Sequence, residues 1–154
     1  MRRLIRDFKT EQGAALPILA LMMVTLVGLA GFGTDLAWFY LNASRVQRAA
    51  DAGALAGVIQ MPDDFTQAEI DAKSTTKANN YEDGVDNATI GVAVVPTNPN
   101  QLDVTVRDVV PTFFAKIFGM SDVTIARTAR AEYVPPLRLG SPTGIMGNDP
   151  TCFA

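Results

Sequence analysis

The chain has 154 residues, a formal net charge of −3, no histidine and one cysteine. The missing histidine removes imidazole acid–base chemistry, histidine-bearing metal sites and Ser-His triads. With 13 basic against 16 acidic residues there is no surplus of positive charge to meet a phosphate backbone, so nucleic acid is not expected as a partner.

The first eleven residues carry Arg2, Arg3, Arg6 and Lys9 against Asp7 and Glu11. From Gln12 to Thr34 no residue is charged, and Gly13 to Gly33 are almost all apolar. At about 1.5 Å per residue that apolar stretch spans roughly 31 Å, the hydrocarbon thickness of a bilayer. Residues 42–154 hold nine Lys/Arg and thirteen Asp/Glu, a balance of −4. Lys and Arg mark the cytoplasmic flank. The pattern therefore predicts a cytoplasmic N-terminus over 1–11, a transmembrane helix over 12–41 and an extracytoplasmic remainder. A secretory signal cleaved near Gly28-Leu29-Ala30 is the alternative, and would release a secreted binding module. Its apolar core is normally shorter than this one. A prepilin signal calls for Glu five residues after the glycine, where Gly13 is followed by Ile18. N-terminal lipidation lacks a cysteine.

The helix is expected to continue past the membrane. Trp38 and Tyr40 suit a membrane–water boundary. Pro17 falls in the expected first turn, and residues 42–57 are rich in alanine, the best helix former. A single helix from Ala14 to Ile59, stopped by Pro62, would be about 69 Å long. Along it Gly28, Asp35, Asn42, Ala49 and Ala56 recur every seven residues, with Phe32, Phe39, Val46 and Gly53 four later and Gly57 four beyond Gly53. Small residues at such spacing let backbones approach closely. The stripe reads either as a packing seam for another helix or as a surface covered by the chain's own outer domain. For residues 46–57 the second reading is preferred, because a sheet must be covered. Asp35, at the outer hydrocarbon edge, is expected to be solvated.

The outer region, 42–134, reads as one small α+β domain. Thr66 and Glu69 fit a capping box, and Phe65 and Ile70 a hydrophobic staple, for a helix from Gln67 to Asn79. Asp83-Gly84 marks a turn. Alternation predicts strands over 88–95 and 102–107, joined as a hairpin through Pro96-Thr97-Asn98-Pro99-Asn100. Pro111–Phe118 reads as a short helix closed by Gly119, burying Phe113, Phe114, Ile117 and Phe118 as an aromatic face. A third strand follows over 122–134. The fold class expected is an α+β membrane protein with about three antiparallel strands, in a pilin-like layout. Residues 135–154 form an extended Pro/Gly-rich tail, read as a linker and consistent with truncation of a longer protein. Cys152 there is read as an inert thiol, with an intermolecular bridge as the other option.

No motif argues for an enzyme, a cofactor or a metal. Asp63-Asp64 and Glu82-Asp83 are adjacent pairs that point in different directions. A calcium loop starting near Asp83 would need a glutamate where Ile90 stands. Asn87-Ala88-Thr89 fits a glycosylation acceptor, relevant only in a eukaryotic secretory host.

Three motifs then carry a resemblance. Glu11-Gln12-Gly13 leading into the apolar run, Asp35-Leu36-Ala37, and Arg45-Val46-Gln47-Arg48-Ala49-Ala50-Asp51-Ala52-Gly53-Ala54-Leu55-Ala56-Gly57 resemble the N-terminal Tad domain of TadG-like Flp-pilus assembly proteins. Pro111–Gly119 and the strand after it are similar to the same family's downstream pattern, so the likeness covers residues 9–134. The resemblance implies a bacterial, single-pass, inner-membrane accessory of tight-adherence pilus assembly or a related secretion apparatus. It implies envelope proteins of that apparatus as partners, self-association as a homo-oligomer as an option, and no catalytic residues. A pilin-like subunit is the remaining alternative.

Overall fold

The computed structural model describes residues 8–135. The basic residues before Phe8, and the tail that contains Cys152, lie outside the described residues. Helix α1 runs without a break over Phe8–Gly57, about 75 Å at helical rise. It starts earlier than expected, so Pro17 stands inside it and not in its first turn. A proline there removes one backbone donor, which apolar transmembrane helices tolerate through local adjustment. A 3-10 turn over Val58–Gln60 closes the helix.

Helix α2 spans Phe65–Ala78. Its cap is Asp64, whose side chain accepts from the Gln67 N–H at 2.9 Å. The expected Thr66–Glu69 capping box and Phe65–Ile70 staple are therefore not formed. Asp64 lies two residues earlier, so the helix starts earlier and its first-turn donor Gln67 N–H is the one capped, while Glu69 pairs with Lys73 at 2.8 Å. Lys73 also reaches Asp83 at 3.1 Å, and Asp83 accepts the Ile90 N–H at 2.9 Å. This relay ties α2 to the start of the sheet. The Ile90 N–H and the Lys73 ammonium hold the Asp83 carboxyl below the usual carboxylate range. Glu69 and Asp83 in turn raise Lys73.

The sheet has the order β1–β2–β3, antiparallel throughout, with β1 over Thr89–Val95, β2 over Asn98–Pro111 and β3 over Asp122–Glu132. The β1–β2 connection is tighter than expected. Asn98 and Pro99 already belong to β2, and the register shifts between Val94 and Val95. Alternation sorts β2 cleanly: Leu102, Val104 and Val106 are fully buried, each worth about 1.5–3 kcal/mol of apolar transfer. On the opposite face Asp103 pairs with Arg130 at 2.6 and 2.7 Å, and the Thr105 and Thr128 hydroxyls meet at 2.8 Å. Both pairs are in direct register across β2 and β3.

The C-terminal half of α1 covers one face of this sheet. Val46, Ala49, Ala50, Ala54 and Val58 join Leu102, Val104, Val106, Ile125 and Ala129 in one core, with Ala68 and Ala72 entering from α2. By contrast, the apolar side chains from Leu16 to Leu29 are exposed along the N-terminal half. The layout is α+β: one long apolar N-terminal helix, a three-stranded antiparallel sheet and one short helix.

Candidate functional site at the anchor–domain junction

Asp35 sits two residues beyond the apolar run and is 2 % exposed. It is not the solvated interfacial carboxylate expected. The segment between β2 and β3 folds down onto it. Oδ1 accepts the N–H of Phe113 at 2.9 Å. Oδ2 accepts those of Phe114 at 3.0 Å and Ala115 at 2.7 Å. These donors open the 3-10 turn Ala115–Phe118, whose first N–H groups have no partner of their own. A side chain of α1 thus caps a turn some eighty residues further along the chain, in the strong ionised-acceptor class of hydrogen bond.

Several features hold this loop in shape. The Thr112 N–H donates to the Ser121 carbonyl at 3.0 Å, and the Thr112 hydroxyl to the Met120 carbonyl. Gly119, at φ 87°, supplies the left-handed residue that ends the turn. The loop also packs on α1. The Phe114 ring lies so close to Gly31 that a Cβ there would come within 2.6 Å of it. Phe113 meets Trp38 edge-on with ring centroids 5.6 Å apart. The expected burial of the aromatic face is nevertheless not observed. Ile117 and Phe118 are 79 % and 83 % exposed, and Phe113, Phe114 and Met120 are also exposed. The core is filled by α1, so a turn beyond the end of the sheet has nothing of its own chain left to cover it.

The stripe of small residues divides by depth. Gly28 has nothing within 4 Å of its would-be Cβ. Asp35 is engaged by the loop. Asn42 is buried and donates to the Trp38 carbonyl at 2.8 Å. Ala49 is fully buried against the sheet, and Ala56 is half-buried. Gly53 and Gly57 let α2 approach: a Cβ at Gly57 would lie 2.7 Å from the Ala68 carbonyl oxygen and 2.6 Å from Leu102 Cδ2. The Asp35 clamp was not read from the sequence. Its available signals were a lone carboxylate closing an uncharged run and a short glycine-ended turn that needs an acceptor at its start.

Two clefts flank α1. One, of about 990 Å³, is lined by Arg45, Arg48 and Lys77 together with Glu82, Asp86 and Asp108. Its charges are mixed, and Tyr81 in its wall is raised by burial first and then by Asp108. The other, of about 880 Å³, follows Leu36, Phe39, Tyr40 and Ala43 beside Val123 and Ile125. Among the described residues no three acidic, cysteine or histidine side chains gather closely enough to hold a metal. Through Asp35 the β2–β3 loop, and with it the sheet, is fixed to the long apolar helix.

The helix that carries Asp35 and packs beneath the sheet also carries a family pattern. Residues 13–60 match the Tad family. That family is described as "Putative Flp pilus-assembly TadE/G-like", and the match takes in just under a third of the chain. It supports a role in Flp pilus assembly in general. The Tad segment holds the apolar run, Asp35 and the close-approach glycines Gly31, Gly53 and Gly57. It ends where α2 begins to pack. No curated protein and no solved structure matches the chain.

Proposed function

We propose that this chain is a single-pass accessory protein of Flp (tight-adherence) pilus assembly or a related secretion apparatus, acting through protein–protein contacts and not by catalysis. In this reading residues 1–11 are cytoplasmic, 12–41 cross the bacterial inner membrane, 42–134 form the extracytoplasmic domain, and 135–154 serve as a linker. The observation that carries it is the Tad match lying on a helix whose N-terminal half is apolar and exposed for about four turns. Such a surface is unstable in water and stable in lipid. Orientation rests on the basic N-terminal flank.

Partners of this proposed scaffold are other envelope components of the apparatus. Much of the packing stripe from Asp35 to Gly57 is occupied within the chain. Gly28, with open space around it, is the position left for a neighbouring transmembrane helix or a second copy. Alkaline carbonate washing of membranes should leave the intact chain in the pellet, and crosslinking in cells should recover pilus or secretion components. Release into the wash, or a mature protein lacking its first thirty residues, would end the anchored reading.

A further inference from the structure

We infer that the loop between β2 and β3 is a second membrane contact, in which Phe114, Ile117, Phe118 and Met120 enter the lipid beside α1 on the outer leaflet. The inference rests on the transmembrane reading of α1 and adds to it a lipid-facing element in the outer domain. Depth is the first argument. Asp35 stands two residues past Gly33, where the apolar run ends, and its carboxylate holds Ala115 at 2.7 Å. Phe114 packs on Gly31, about one helical turn further in. The turn is therefore pinned at the edge of the hydrocarbon and cannot stand clear of it while the clamp is closed.

Continuity is the second argument. Phe32 and Leu36 on α1, each next in sequence to a residue the loop contacts, are exposed as the loop side chains are, so both elements offer apolar side chains at this level. A water-facing loop would carry polar residues at such positions. A cluster of this kind on a soluble surface marks an interaction site, and at this depth the solvent already present is lipid. Aromatic side chains are favoured at that interface, and the exposed Lys116 among them has a stem long enough to keep its ammonium at headgroup level. The clamp then has a second effect: by folding over Asp35 the loop shields a carboxylate that would otherwise face the acyl chains.

The test uses the full chain, with Cys152→Ser, purified and reconstituted alone into phosphatidylcholine–phosphatidylglycerol vesicles. An environment-sensitive fluorophore is attached at Ile117→Cys, at Ile70→Cys on α2, or at Leu26→Cys in the anchor. All three side chains are exposed, so the substitutions leave the core untouched. The Ile117 probe should emit to the blue, be quenched by shallow nitroxide-labelled lipid, and be several-fold less open to aqueous iodide than the Ile70 probe. A water-like Ile117 probe beside a lipid-quenched Leu26 probe would overturn this inference while leaving the anchor intact. That result would also show that any cover for the loop is a protein partner. A water-like signal at both positions would overturn the anchor reading and this one with it.

Discussion

Replacing Gly57 by alanine tests whether the close approach of α1, α2 and β2 is what permits the fold. The added Cβ would lie 2.7 Å from the Ala68 carbonyl oxygen, 2.6 Å from Leu102 Cδ2 and 3.1 Å from Ala72 Cβ. Ordinary carbon contacts are about 3.5–4.0 Å, so the helices must separate by nearly 1 Å at this point. Leu102 is fully buried in the core that α1 and α2 share with the sheet. The carbonyl of Ala68 is backbone, so relief requires α2 itself to shift. Overpacking of this kind destabilises by about 1–3 kcal/mol. Against it stands the gain of alanine over glycine in a helix, at most about 1 kcal/mol and smaller at the last residue of α1. The net expectation is a loss of about 1–2 kcal/mol, or a fall in Tm of about 4–16 °C for a domain of this size. Gly53→Ala should cost less, because its nearest contacts, the Thr76 methyl at 2.9 Å and the Ala72 carbonyl at 3.3 Å, are less severe than those at Gly57. Gly91→Ala is the control, its nearest neighbour standing at 3.9 Å. Thermal unfolding of the detergent-solubilised full chain, followed by circular dichroism, reads all three. A Gly57→Ala protein as stable as the parent, or more so, would refute the argument that these glycines exist for packing.

Three other expectations follow from the same geometry. Leu102→Ala should cost about 2–5 kcal/mol, since it empties a fully buried site between β2 and both helices; urea unfolding midpoints check it. Asp83 and Asp103 are both held below the ordinary carboxyl value of 3.8, Asp83 chiefly by the Ile90 N–H and Asp103 by Arg130. Groups lowered on folding contribute stability above their unfolded value and lose it as pH falls through the folded one. Stability should therefore hold from pH 7 to about 5 and decline below about 4, and a protein with Asp83→Asn and Asp103→Asn should be weaker at pH 7 and decline less steeply. Asp35→Asn leaves one oxygen for three donors and points an amide at the others. Hydrogen exchange at Phe113, Phe114 and Ala115 should quicken roughly tenfold or more while the β2–β3 ladder stays protected; equal protection in parent and variant would remove the clamp from the account.

The long helix and the strands were legible because each is a periodic, local signal. An uncharged run followed by alanine-rich sequence has only one stable backbone in lipid and a favoured one beyond it. Leu102, Val104 and Val106 alternate with Asp103, Thr105 and Arg107, and the structure buries one set and pairs two of the other across the sheet. End signals were less secure. Asp64 displaced Thr66 as the cap of α2 because both residue types can accept from a first turn, and sequence alone does not say which one stands where the helix begins. Pro17 moved from helix start to helix interior for a comparable reason, since nothing in the residues before it forbids helix.

The clamp at Asp35 was illegible because its two halves are local puzzles with a non-local answer. Taken alone, a carboxylate at the hydrocarbon edge is best explained by water, and a run of Phe113, Phe114, Ile117 and Phe118 is best explained by a core. Folding reverses both: the backbone donors of the aromatic loop desolvate Asp35, and satisfying them commits the loop to the level of Gly31 and away from the sheet's inner face, which α1 already fills. The exposed aromatics and the buried acid are consequences of one contact. That contact joins the domain to the apolar end of the helix, while Gly53 and Gly57 join it about 30 Å further along the helix. An outer domain held at both ends of the same rod cannot swivel freely on its anchor. If the proposed anchored scaffold role holds, a fixed height and heading above the bilayer are what this junction would supply.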